Sequence, residues 1–239
     1  MNRAGDRRSI LRALPVLLFL LFLPAAAAGA DPAGSISAAG WEESAAGRWN
    51  RLPERKAEAR GKTFSAEFVL SPGSGVEWEK RGSWDPAKGA ELSFEFLVDG
   101  TNASSEDYEE FRARFPVSVT AVFGQESQDI PWKKRLSGFF RGLLHGLSPG
   151  GIRLTYAWGN RAPVGSMYRA GEEETVFILA GEEEAGKKIQ AKRDLKEDFA
   201  AAYGRPPKGP VTRIIVRADR PSGEKGNRSG TVTLTLPGP

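Results

Sequence analysis

The chain has 239 residues, with 34 Lys+Arg against 30 Asp+Glu, one histidine and no cysteine. These counts exclude a disulfide framework, a thiol nucleophile and a zinc site of the His/Cys type, and the length suits one domain of the sandwich or barrel kind. Four of the basic residues (Arg3, Arg7, Arg8, Arg12) and one acidic residue (Asp6) fall in the first 30 positions, so the remainder stands at 30 against 29 and offers no bulk positive charge to nucleic acid or an anionic membrane.

That first segment has the three parts of a secretory leader: the basic start, the apolar run LPVLLFLLFLP, and AAAAGA with Ala28 and Ala30 at the minus-three and minus-one positions of a cleavage site. The apolar core is roughly a dozen residues, where a membrane-spanning helix needs about twenty. A cleaved signal peptide over residues 1–30 is therefore expected, with a mature start at Asp31; a retained anchor is the alternative. The Ala-, Gly- and Arg-rich composition is of a bacterial kind, which gives the periplasm, or secretion, as the expected destination.

Residues 31–62 are rich in Ala, Gly and charge, and are expected to form an N-terminal arm anchored by Trp41 and Trp49, with a short helical patch at 54–60. Residues 63–239 are expected to form a single β-sandwich domain. TFSAEFVL (63–70) sets Phe64, Ala66 and Phe68 against Thr63, Ser65 and Glu67; VEWEKRG (76–82) sets Val76, Trp78 and Lys80 against Glu77, Glu79 and Arg81; and ELSFEFLVDG (91–100) places Leu92, Phe94, Phe96 and Val98 in phase. The β-branched PVSVTAVFG (116–124), IRLTYAW (152–158), the apolar ETVFILAG (174–181), VTRIIVRAD (211–219) and GTVTLTL (230–236) continue the series. RDLKEDFAAAYG (193–204) is a short helix, capped by Asp194 and stopped by Gly204. About eight turn-separated strands with two short helical insertions predict a mainly β fold, an antiparallel sandwich of jelly-roll type.

The other insertion, PWKKRLSGFFRGLLHGLSPGG (131–151), is amphipathic. Trp132, Leu136, Phe139, Phe140, Leu143, Leu144 and Leu147 share one helical sector, and Lys134, Arg135 and Arg141 lie opposite with Gly138, Gly142 and Gly146. It packs across an open end of the sandwich or rests on a membrane surface, Trp132, Phe139, Phe140 and Leu143 being the candidate contacts in the second case.

No Gly-x-Ser-x-Gly elbow, phosphate-cradling glycine motif or EF-hand loop is present, and His145 has no visible partner, so no catalytic residue, metal site or cofactor is expected. Carboxylates are the chemistry that remains, with Glu174, Asp194, Asp198 and Asp219 as candidates. Tyr156 and Trp158 fall in phase with Leu154, as core residues do; the same pattern places Trp158 and Asn160 at a strand end where a ring can stack on a sugar and an amide can bond its hydroxyls. Trp158 and Asn160 are accordingly the first candidate ligand contacts, followed by Tyr168 and Asp219.

The order of elements carries a resemblance. LTYAWGN precedes PVGS and an apolar strand; then come KRDLKEDFAAAYGRPP and a strand closing on VRADRPSGEKGNRSGTVTLTL. Over roughly residues 61–236 this resembles the bacterial exported family known as domain of unknown function 3047, at Tyr156, Trp158, Asn160, Gly165, Asp198, Phe199, Tyr203, Gly204, Pro206 and Asp219. The resemblance implies an exported sandwich, galactose-binding-like in appearance, with no known activity and no established catalytic residues. The leading expectation is a non-catalytic sandwich that binds an envelope polysaccharide or an envelope protein. A carboxylate-dependent polysaccharide-active enzyme and a peripheral membrane protein docking through 131–147 are the alternatives.

Overall fold

Twelve strands in two facing sheets bury their apolar phases against each other in the computed structural model, which describes residues 33–47, 50–105, 114–124, 151–171 and 173–238. Helix α1 (Ala33–Ala38) leads into β1 (Trp41–Ala45), β2 (Glu54–Arg60), β3 (Thr63–Leu70), β4 (Ser74–Trp84), β5 (Glu91–Val98), β6 (Ser118–Phe123), β7 (Ile152–Trp158), β8 (Met167–Arg169), β9 (Glu174–Ala180) and β10 (Ile189–Asp194). Helix α2 (Leu195–Tyr203), β11 (Val211–Arg220) and β12 (Arg228–Thr235) complete the chain. One sheet has the order β1-β4-β11-β6-β7-β9-β8 and the other β10-β5-β12-β3-β2. This is the two-sheet, mainly β sandwich with jelly-roll character that the alternation predicts.

The core follows from period two. Phe64, Ala66, Phe68 and Leu70 of β3, Leu92, Phe94, Phe96 and Val98 of β5, and Val232 and Leu234 of β12 face Val76, Trp78, Val119, Ala121, Leu154, Tyr156, Trp158, Ile214 and Val216 across the gap, all of them buried. Rings join the layers: Phe94 lies 5.4 Å from Tyr156, and Phe64 lies 5.6 Å from Trp78. Helix α2 begins and ends as its sequence requires. Asp194 accepts from the backbone N–H of Lys196 and Glu197 at 2.8 and 3.1 Å, and Gly204 takes the left-handed conformation (φ 70°) that ends the helix. Its Leu195 and Phe199 enter the core.

The structure departs from the sequence reading in three places. Residues 31–62, expected as an arm, supply α1 and the edge strands β1 and β2, and the patch at 54–60 is a strand, not a helix. Ala57 and Trp41 are drawn into the core, and pairing with β3 and β4 decides the backbone where the residues' own preferences are mixed. Strands β8 and β10 were not foreseen either. Among the described strands one pair, β7 with β9, is parallel and the other pairs are antiparallel, with an isolated parallel bridge between Arg51 and Ser74; the stretch between β7 and β9 is long enough for a crossover and lays β8 on the far side of β9. Trp49 and the whole 131–147 segment, with Trp132, Phe139, Phe140 and Leu143, lie outside the described residues. Among those that are described, no helix is long and apolar enough to cross a membrane.

Candidate functional site

The outward face of the seven-stranded sheet holds the second phase of the same alternation, and its rows can be read from the strand register. Glu77 lies opposite Arg217, then Ser118, Ala157 and Ile178. The next row runs Glu79, Ile215, Thr120, Thr155, Val176 and Tyr168. A third contains Arg213, Val122, Arg153 and Glu174. The first two rows thus grade from charged on β4 and β11, through hydroxyls on β6 and β7, to an apolar end where Ala157, Val176 and Ile178 pack with Phe115, Ala162 and Ala170, while the third keeps the charges of Arg153 and Glu174 on β7 and β9. From Glu79 to Tyr168 is five strand spacings, roughly 24 Å at about 4.8 Å each.

These polar groups are not spread into solvent. Glu77, Glu79, Thr155 and Arg153 are 9, 7, 3 and 8% exposed, a level at which carboxylates and guanidinium groups are rarely found unless paired. Pairing is present. Arg217 Nη2 donates to Asp219 Oδ2 at 2.7 Å and its Nη1 stands 4.0 Å from Glu77 Oε2. Arg81 Nε donates to Glu79 Oε1 at 2.8 Å, and Arg213 Nη1 is 3.7 Å from Glu79 Oε2. Thr120 and Thr155 share a hydroxyl contact of 2.9 Å, and Thr155 Oγ1 donates to Glu174 Oε1 at 2.7 Å. Burial pushes the Glu77 carboxyl above its ordinary value; Arg217 opposes that shift and Glu79 adds to it. Burial pulls Arg217 down, but Asp219 and Glu77 outweigh it, and the guanidinium stays charged.

A buried network closes one end of the floor, and Asp219 is the hinge between the two. It is wholly buried, accepts from Asn50 Nδ2 at 2.9 Å on one oxygen and from Arg217 on the other, and has Arg114 Nη1 at 3.5 Å. Asn102 Nδ2 donates to the carbonyls of Asp219 and Arg114 at 2.8 and 2.7 Å, its N–H donates to Asn160 Oδ1 at 2.9 Å, and Arg220 Nη1 donates to its Oδ1 at 3.2 Å. Gly75 faces this cluster for a steric reason: a Cβ there would stand 2.8 Å from Asn50 Nδ2 and 3.0 Å from Asp219 Oδ1.

The candidate residues are therefore divided. Tyr168 lies half-buried on the floor, whereas Asp219 has no exposed surface and both its oxygens are engaged, by Asn50 and Arg217. Asn160 is 7% exposed and committed to the end network. Trp158 faces the core with no exposed surface, so the sugar-stacking role expected of it is corrected: a ring without a free face has nothing to stack on. The candidate carboxylates have structural occupations. Asp194 caps α2, and Asp198 accepts from Tyr156 Oη at 2.7 Å and Arg193 Nε at 2.9 Å, besides a second contact from Arg193 Nη2. Glu174 accepts from Thr155. Sequence reasoning missed Glu77, Glu79, Thr120, Thr155, Arg153, Arg213 and Arg217 as a group. Their signal was present as charged or hydroxyl residues at alternate positions of strands whose other phase is apolar. Among the described residues no group of three or more His, Asp or Glu is arranged to hold a metal ion.

Among solved structures, the chain is similar to the enzymatically active domain of bacteriophage CBA120 tailspike protein 4, at 9% identity and a TM-score of 0.35 over 82% of this chain, but it spans only 19% of that one. It is similar to the catalytic domain of Humicola grisea Cel12A at 10% identity, with a TM-score of 0.43 over 76% of this chain and 83% of that one. The xyloglucanase domain of Sinorhizobium fredii NopAA follows at 9% identity and 0.38, over 81 and 91%. Likenesses of this degree transfer no property to this chain. No curated protein matches it in sequence. The family described as "Protein of unknown function (DUF3047)" matches residues 67–229, and with more than half its length covered the chain belongs to that family.

Proposed function

We propose that the chain is exported, that its leader is removed after Ala30, and that the polar face of the seven-stranded sheet binds an envelope oligosaccharide without turning it over. One observation carries the reading. Carboxylates, guanidinium groups and hydroxyls are gathered at low exposure on one sheet face, beside an apolar end that contains Tyr168. Withdrawing charges from water costs several kcal/mol per ion before pairing offsets it, and a sandwich needing only stability would place apolar side chains there. The half-buried Thr120, Arg213, Arg217 and Tyr168 are the groups of this face that a ligand with hydroxyl rims and C–H faces can reach.

The test is a calorimetric and affinity-gel screen of residues 31–239 against envelope polysaccharides and peptidoglycan fragments, with Arg217→Ala beside wild type and the fold of both checked by near-ultraviolet circular dichroism. Binding that disappears in a folded Arg217→Ala protein supports the site. A wild-type protein that ignores the whole panel sinks it. Mass spectrometry of the protein recovered from the periplasm settles the leader, with Asp31 the expected first residue.

A second reading has its own support in Glu77, a carboxyl held above its ordinary value beside the carboxylate Glu79. Such a pair can lend and take a proton in glycoside hydrolysis. Product release from the same panel, abolished in Glu77→Gln while binding persists, would replace binding by catalysis.

A further inference from the structure

The opposite side of the sandwich has a feature of its own. A groove of about 330 Å3 lies on the outward face of the five-stranded sheet, between β10, β5 and β12. Two cross-strand rows make its floor: Thr233–Glu95–Gln190 and Thr235–Ser93–Lys192. Phe94, Val232 and Leu234 between them are buried, so these six take the outward phase. The groove exists because Ser93 of β5 and the threonines of β12 are short while Glu95, Gln190 and Lys192 beside them are long.

Its charges are already matched within the sheet. Lys188 Nζ stands 2.8 Å from Glu95 Oε1, Gln190 Nε2 donates to Glu95 Oε2 at 2.9 Å, and these two hold the Glu95 carboxyl below its ordinary value. Lys192 pairs with Glu91 at 2.8 Å. With each cation answered by a carboxylate, the groove has no surplus charge to recruit an ion. What it presents is three hydroxyls and an amide, groups that donate and accept together, with neighbours in a row one strand spacing apart and the two rows two residues, about 7 Å, apart along the strands.

We propose that this groove is a second binding site, for a neutral oligosaccharide, independent of the charged floor on the other sheet. The occupant follows from charge and hydrogen-bonding capacity: an anionic ligand would have to break an existing pair, and an apolar one would strand the hydroxyls.

The experiment is an amide-resolved NMR titration of residues 31–239 with cellohexaose, laminarihexaose and maltohexaose, and in parallel with an oligogalacturonate. At least one neutral hexasaccharide should move the signals of Ser93, Glu95, Gln190, Thr233 and Thr235 saturably. Ser93→Ala combined with Thr233→Val should weaken that binding about tenfold, as expected for two lost hydrogen bonds, whereas Arg217→Ala should leave it within about twofold. Silence of these signals with all three neutral sugars overturns the proposal, as does binding indifferent to the double substitution or a stronger response to the oligogalacturonate. Because Arg217 belongs to the other sheet, failure of the groove and failure of the floor are read from different variants.

Discussion

The strands inside each sheet and the strands at its edges are written in different ways. β1 and β8 bound the seven-stranded sheet, β10 and β2 the five-stranded one; the eight strands between them are the eight whose alternation is visible in the sequence. The edges read WEESA, MYR, IQAKRD and ERKAEAR. β2 carries charge at most of its positions and buries Ala57 alone, and β8 is three residues long. A long apolar edge invites pairing with another chain, and short or charged edges prevent it. What protects the edge also removes the period-two pattern, so inner strands are specified by burial and edge strands by their neighbours.

The largest effect should come from the inner class. Trp158→Ala removes a fully buried ring from β7 and is expected to cost about 3–5 kcal/mol, read as a loss of cooperative unfolding or a much lower denaturant midpoint. A folded Trp158→Ala protein with a changed ligand profile would return that residue to the list of contacts. Next is the link between β7, β10 and α2. Asp198→Ala leaves Tyr156 Oη, wholly buried, without its acceptor and Arg193 without its carboxylate; breaking a buried pair from one side costs about 3 kcal/mol or more. Burial, and then Asp198, hold the Tyr156 phenol well above its ordinary value, so the ring should stay un-ionised in the folded wild type at pH 10, as ultraviolet titration would show.

The sequence disclosed this inner architecture because each strand carries its own evidence. Leu154, Tyr156 and Trp158 fall in one phase and are core; Asp194 and Gly204 sit where a helix needs a cap and a stop, and they serve as both. The candidate site was legible only in fragments. The alternation of Glu77 and Glu79 against Val76 and Trp78 is plain, but the meeting of Glu77 with Arg217 and of Glu79 with Arg213 depends on β4 lying beside β11, far along the chain, and no local pattern encodes that adjacency. Asn160 was noticed and its place in the network was not, because its partners Asn102 and Arg114 come from distant loops.

An edge can still hold the sandwich shut through one residue. Glu43 of β1 accepts from Trp78 Nε1 at 2.8 Å and from Arg55 Nε of β2 at 2.9 Å, tying the two sheets along one border. Glu43→Ala should cost about 1–3 kcal/mol, since the buried indole N–H loses its acceptor, measured by chemical denaturation. A smaller effect is expected at Glu77. Its folded value is raised above the ordinary 4.5, so the folded state holds that proton more tightly than the unfolded one. The associated stability is complete below about pH 4.5 and is lost as pH rises through the folded value. Glu77→Gln, which mimics the protonated form, should therefore equal wild type in acid and exceed it at pH 7; a variant less stable at pH 7 would show that the Arg217 pairing outweighs burial.

The smallest effect on stability tests the comparison most directly. Lys56 and Glu58 lie on the outward side of β2, on either side of buried Ala57. Changing both to valine gives the edge a stronger β-former and removes the two charges that flank Ala57, leaving Glu54, Arg55 and Arg60. Surface changes of this kind usually move stability by no more than about 0.5 kcal/mol, and the melting temperature should hardly change. Solubility should fall instead, because a flat apolar edge becomes a template for pairing. If sedimentation velocity shows the double variant assembling at concentrations where wild type does not, the charges of β2 are there to keep the edge unpaired. If it stays at the wild-type size while gaining stability, those charges serve the fold itself, and the separation between strands specified by burial and strands specified by their neighbours fails at β2.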